Sequence, residues 1–149
     1  MRRIVEVLVV DDSKEDAALT LDALRSAAPD ATMLRLTDGE QALRFICATD
    51  GYASRPAGLP KLVLLDLHMP GMDGIAVLRA LRARPDTQQL PVVLWTSNRN
   101  TLFIEQGLQA GASAYHVKPM DLEAYRAEIA AIVHHWLQTS EMPTSKRSA

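Results

Sequence analysis

Asp11 and Asp12 follow the apolar run Ile4 to Val10, and Asp66 follows Leu62 to Leu65. Thr96 and Ser97 follow Val92 to Trp95, and Lys118 follows Ala114 to Val117. Parallel α/β sheets bind ligands in the crevice outside the carboxyl ends of their strands, and neighbouring strands lie about 4.8 Å apart. Three carboxylates ending adjoining strands must therefore crowd together. Crowded carboxylates share protons or take up a hard divalent cation through oxygen, and Mg²⁺ suits this set because it keeps several waters and needs only one or two carboxylates. Counting Asp11, Asp12 and Asp66 against Mg²⁺ and Lys118 gives a neutral site that has room for further negative charge. Aspartate is a covalent nucleophile in phosphoryl transfer, a reaction that depends on positioning and charge neutralisation more than on a base. Singly, each acid reads as a turn or a helix start, where aspartate is favoured; the three together with Lys118 read as a site.

The elements that must position these residues are legible as an alternation of short Val/Ile/Leu runs with longer segments of helical period, the pattern of βαβ units in a parallel sheet. Strands are expected at Ile4 to Val10, Thr32 to Leu36, Leu62 to Leu65, Val92 to Trp95 and Ala114 to Val117. Capping boxes at Ser13 with Asp16 and at Thr37 with Glu40 predict the starts of the first two helices. The first presents Ala17, Leu21, Leu24 and Ala28, and Pro29 stops it; the second runs through Ala42, Leu43 and Ile46. A third follows Pro70-Gly71 with Ile75, Leu78 and Leu81 inward, and a fourth, Thr101 to Ala110, ends at Gly111 as a left-handed cap. The last carries Leu122, Tyr125, Ile129, Ile132, Val133 and Trp136 at steps of three and four. The fold class is α/β, doubly wound, with five βα pairs. In a sheet ordered 2-1-3-4-5 the ligand crevice falls between strands one and three, where the acids are.

The whole chain bounds the partners. Its 149 residues are 48% apolar and 23% charged, the size and balance of one domain over residues 1–137 with a polar tail at 138–149. Net charge is −2 and the Lys and Arg residues are scattered, which argues against nucleic acid and against an anionic membrane surface. The apolar start is too short for a secretory core or a membrane span, so the chain reads as cytoplasmic. The single Cys47, on the apolar side of the second helix, reads as a buried small hydrophobe. Thr49 to Pro60, with two Gly and two Pro, reads as an ordered surface loop.

The residues Asp11-Asp12, Leu64-Leu65-Asp66 followed by Met69-Pro70-Gly71-Met72-Asp73-Gly74, Thr96 and Lys118-Pro119 resemble the receiver domain of bacterial two-component response regulators, the CheY-like family, over residues 4 to about 137. The resemblance implies a flavodoxin-like fold and a signalling switch, not an enzyme. It implies Asp66 as the phosphoacceptor. Asp12 would be a direct Mg²⁺ ligand, Asp11 a ligand through water, and the His68 backbone carbonyl part of the same shell. The His68 side chain would line the pocket mouth. Lys118 would pair with the phosphoryl group, its bond to Pro119 would be cis, Thr96 would move inward and Tyr115 would be the switch aromatic. The partner implied is a sensor histidine kinase. The stretch Asp50-Gly51-Tyr52, Arg55-Pro56 and Trp95-Thr96-Ser97 is similar to a narrower subgroup whose partners are bacterial phytochromes and whose members dimerise. A stripe from Leu122 to Leu137 longer than a small sheet needs leads to the expectation that Trp136 and Leu137 project past the sheet. They would then support a homodimer with the fourth helix and fifth strand. A phosphorelay intermediate or phosphate sink is the nearest alternative function. An aspartyl-phosphate phosphatase wants Asp-x-Asp, and residue 68 is histidine. A flavin carrier wants a Gly-, Ser- or Thr-rich phosphate loop where the chain has Asp11-Asp12-Ser13.

Overall fold

Five parallel strands, β1 (Val7–Val10), β2 (Met33–Leu36), β3 (Leu62–Leu65), β4 (Val92–Thr96) and β5 (Ala114–Val117), form one sheet in the order β2-β1-β3-β4-β5. The computed structural model describes residues 5–47, 58–69 and 71–141. Five helices connect or follow the strands: α1 (Lys14–Ala27), α2 (Gly39–Ile46), α3 (Gly74–Arg82), α4 (Thr101–Gln109) and α5 (Leu122–Glu141). The central strands β1, β3 and β4 are buried along their whole length. Such strands read as unbroken apolar runs because helices cover both of their faces.

Successive strand residues point to opposite faces, and two apolar layers result. Leu8, Val10, Val63, Leu65 and Leu94 pack with Phe45, Ile46, Leu78 and Leu81 from α2 and α3. On the other face Val7, Val9, Leu62, Leu64 and Trp95 pack with Leu24 of α1 and with Tyr125, Ile129 and Ile132 of α5. A fully buried leucine or isoleucine contributes roughly 1.5–3 kcal/mol through removal of its apolar surface from water, so these layers dominate the fold energy.

Helix starts are set by side-chain caps that satisfy the otherwise unpaired first-turn N–H groups. Ser13 accepts from Asp16 N–H at 3.2 Å, as the spacing predicts. The second cap differs from the Thr37 with Glu40 reading. Asp38 is the N-cap and accepts from Gln41 N–H at 2.8 Å, while the Gln41 side chain reaches back to Thr37 N–H and hydroxyl. A carboxylate one residue later is the better acceptor, and Gln41 supplies the return bond. Asp73 and Asn100 cap α3 and α4. Gly111, with φ +112°, follows α4 as expected.

Several boundaries differ from the sequence reading. Regular pairing of β1 starts at Val7, because Glu6 and Val7 N–H share the Thr32 carbonyl and the Glu6 side chain binds Thr32 N–H. The same contacts hold Thr32 outside β2. The inward face of α1 also includes Thr20 and Ala23. Cys47 is half-buried at the C-cap of α2, where the helix already leaves the core. Helix α5 continues to Glu141, beyond the point where the sequence turns polar. The expected projection of its far end is not found. Leu137 is buried and Trp136 is half-buried, because both pack in the α1–α5 layer with Ala28 and Ala31. The Thr49 to Pro60 loop falls largely, and the tail from residue 142 wholly, outside the described residues. Among the described residues no helix is long and apolar enough to cross a membrane.

Candidate functional site

Strand register brings the acids together. Val10 pairs with Leu65, so the next residues, Asp11 and Asp66, leave adjoining strands side by side, and Asp66 N–H donates to the Val10 carbonyl at 3.0 Å. Asp11, Asp12 and Asp66 each place one carboxylate oxygen within 4.8 Å of the others. Gly74 keeps the third strand's loop tight against α3: its N–H donates to the Leu67 carbonyl, and a Cβ there would sit 2.6 Å from the Asp66 carbonyl oxygen. Only glycine fits that close approach.

Lys118 enters from β5, where its N–H donates to the Thr96 carbonyl at 2.7 Å. Its side chain is 3% exposed and its Nζ lies 2.7 Å from Asp11 Oδ2, 3.1 Å from Asp16 Oδ2 and 3.6 Å from Asp66 Oδ2. The Lys118–Pro119 bond is not cis; among the described residues every peptide bond is trans. Trans is the lower-energy isomer of an X-Pro bond by about 0.5–1 kcal/mol, and in that isomer the ammonium already reaches all three carboxylates.

Burial works against the charged forms of both partners, yet in opposite directions. It pushes the Asp11 carboxyl above its ordinary range, and the Asp66 charge adds to this, while the Lys118 ammonium and the Ser13 N–H pull it back. Burial alone would lower Lys118; the charges of Asp66, Asp11 and Asp16 outweigh it and hold the ammonium more basic than an ordinary lysine. Lys118 therefore stays charged at neutral pH. Asp16 is the acid that sequence reasoning used only as a capping partner. Its backbone serves the cap while its carboxylate turns to Lys118, so the local count becomes four carboxylates to one ammonium. The neutral count of the sequence reading is thus short by one negative charge. No helical spacing marked Asp16, because Asp12 precedes the Ser13 cap and lies outside α1.

The remaining candidates ring this centre. Thr96 is 1% exposed and its hydroxyl accepts from Asn98 N–H at 3.2 Å. Tyr115 donates its hydroxyl to the Asn98 carbonyl at 2.9 Å, and burial with the Asp66 charge raises its pKa. His68 is exposed at the mouth of the site, where it contacts the Asn98 amide and the edge of Phe103. Asn98 was not singled out from the sequence. A groove of about 430 Å³ runs from Lys118 past Asp16, Ser97 and Arg99 to the apolar Leu19, Met120 and Leu122. Another pocket, about 730 Å³, lies among Glu6, Ala28, Asp30 and His134 and touches none of these groups.

The three carboxylates fit a hard divalent cation: each offers an oxygen, one of them is exposed, and Lys118 leaves the cluster net negative. Comparison with known proteins agrees. Residues 7–130 match the response regulator receiver domain. The chain is 30% identical over 139 residues to the response regulator Rcp1 of Synechocystis, covering 93% of both. Among solved structures it superposes on the phosphorylated cyanobacterial phytochrome response regulator RcpA with TM-score 0.85 and 27% identity, over 95% of this chain and 99% of that one. The Mn²⁺-bound form of Rcp1 gives TM-score 0.82 and 31% identity, over 92% and 97%. Sheet order, the acidic crevice and these likenesses coincide over nearly the whole chain, which belongs to the response regulator receiver domain family.

Proposed function

We propose that Asp66 accepts a phosphoryl group from a sensor histidine kinase and that the chain signals through the surface change that follows. An Asp66 carboxylate oxygen attacks phosphorus, the P–N bond of the donor phosphohistidine breaks, and the imidazole leaves with the electron pair and takes a proton from water. The observation that carries the reading is the buried Lys118 ammonium held 3.6 Å from Asp66 by Asp11 and Asp16, a preformed partner for charge arriving on that carboxylate.

Asp11, Asp12, Asp66 and the backbone carbonyl of His68 are the groups that would hold the divalent ion, which we take to be Mg²⁺. When bound, that ion supplies charge neutralisation for the carboxylates and the incoming phosphoryl oxygens. Asp11 already spends one oxygen on Ser13 N–H at 2.9 Å and the other on Lys118. Exposed Asp12 is the freer ligand, which supports a direct role for it and a water-mediated one for Asp11. Thr96 and Tyr115 are the switch residues. The kinase is of the phytochrome type, a reading supported by the likeness to RcpA, described as a phytochrome response regulator. For self-association we favour the face of α4, β5 and α5, because α4 leaves Leu102 and Leu108 57% and 47% exposed.

Incubation with acetyl phosphate and Mg²⁺ tests the first step. Intact mass should show one phosphoryl group on the wild type and none on Asp66→Asn; equal uptake by both would exclude Asp66 as the acceptor.

A further inference from the structure

The loop after β4 concentrates its polar contacts on one residue, Asn98. Its N–H donates to Thr96 Oγ1 at 3.2 Å, and its carbonyl accepts from the Tyr115 hydroxyl at 2.9 Å. Its side-chain oxygen accepts from Asn100 N–H at 2.8 Å, and its side-chain amide donates to His68 Nε2. Asn100 in turn accepts from Leu102 N–H at 2.9 Å and caps α4. His68 also stands edge-on to Phe103 of α4, with ring centroids 5.2 Å apart and planes at 83°. The loop carrying Asp66, the end of β4, the hydroxyl of β5 and the start of α4 thus meet at one side chain and its own backbone.

This arrangement constrains how the loop moves. Thr96 Oγ1 cannot shift toward Asp66 and keep its bond unless Asn98 N–H follows. If Asn98 follows, its carbonyl moves and the Tyr115 hydroxyl loses or changes its acceptor. The bond to His68 opposes that displacement, since His68 lies two residues past Asp66 on a loop fixed by Gly74. A solitary exposed side-chain pair would contribute little, but here the donor side of the pair also carries three further bonds.

Resting on the reading of Asp66 as phosphoacceptor, we propose that Asn98 is the positioning residue coupling Thr96 and Tyr115 to the Asp66 loop, with His68 as its anchor. Nothing in this coupling needs the metal or the phosphoryl group to be present, so it is measurable in the unphosphorylated protein.

The full chain is labelled with 3-fluorotyrosine, and the Tyr115 line among the three tyrosines is identified by Tyr115→Phe. Spectra are taken without donor or metal for wild type, His68→Leu, His68→Gln and Asn98→Ala. His68 is exposed, so its replacements leave the core untouched. Leucine has no acceptor, whereas the glutamine carboxamide oxygen can accept from Asn98. His68→Leu and Asn98→Ala should both shift or broaden the Tyr115 line. They should also speed amide exchange at Leu102 about five- to tenfold, the loss of roughly one hydrogen bond's net worth. His68→Gln should return both towards wild type. A wild-type line and exchange rate in His68→Leu would overturn the coupling, and so would leucine and glutamine variants that behave alike. Failure of Asp66 to take up phosphate would leave these spectra unchanged, so the two readings fail separately.

Discussion

At the level of single residues the site is organised around a buried cation shared by three acids. Asp11 was expected beside the metal, yet its carboxylate is tied to Lys118 and Ser13 on both oxygens, whereas Asp12 is exposed. Removing Asp12 should therefore cost more metal affinity than removing Asp11. A metal titration of Asp11→Ala should show a loss on the order of ten- to a hundredfold, that of an outer-shell partner, with a larger loss for Asp12→Ala. The reverse order would mean that Asp11 is the direct ligand. Asp11, Asp12, Asp66, Thr96 and Lys118 were legible because each closes an apolar run, so a strand end fixes its place without any tertiary knowledge. Asp16 and Asn98 were not. Asp16 looked fully explained as part of a cap, and Asn98 lies in a loop whose path depends on Tyr115 and His68, far away in sequence.

Between elements, the layer joining α1, β4 and α5 is pinned by a polar chain inside an apolar cluster. Trp95 Nε1–H donates to Thr20 Oγ1 at 3.0 Å, the Thr20 hydroxyl bonds Tyr125 at 2.8 Å, and the Tyr125 hydroxyl reaches the Asp16 carbonyl at 3.3 Å. The last contact ties the packing of α5 to the helix that carries Asp16. Thr20→Val keeps the shape but leaves the buried indole N–H without its acceptor. It should lower stability by about 1–3 kcal/mol in denaturant unfolding, and a neutral result would mean that another acceptor replaces Thr20. Periodicity located all five strands and helices because each has one apolar face or run. It missed Thr20 as an inward residue because only the tertiary structure supplies partners for its hydroxyl. The ends of elements were less legible. Glu6 and Thr32 terminate a strand pair through side-chain bonds that no periodicity encodes, and Asp38 displaced Thr37 as a cap by one residue.

For the molecule as a whole, pH links folding to the site. Burial raises the Tyr125 hydroxyl above the ordinary 10.0, and Asp66, Asp11 and Asp16 raise Lys118 above the ordinary 10.5 despite its burial. Both groups bind their protons more tightly folded than unfolded, so the stability they contribute is complete below about pH 10 and is lost as pH climbs through the folded values. Thermal stability should therefore fall from about pH 10 upward, and less steeply in Tyr125→Phe; equal slopes would remove Tyr125 from the linkage. The proposed self-association through α4, β5 and α5 is tested at α4 and not at the end of α5. Since Leu137 is core, its replacement would report on folding, whereas Leu102→Ser with Leu108→Ser alters only exposed positions of α4. Sedimentation should show self-association in the wild type at micromolar concentration and a monomer in that double variant; a monomeric wild type would exclude the dimer. The central claim is tested most directly by transfer from a phytochrome-type histidine kinase, followed by borohydride reduction and peptide mass spectrometry. An acyl phosphate on Asp66 is reduced to homoserine at position 66, dependent on kinase and ATP, and that is the result expected. Homoserine at any other aspartate, or labelled protein with residue 66 unaltered, would contradict it.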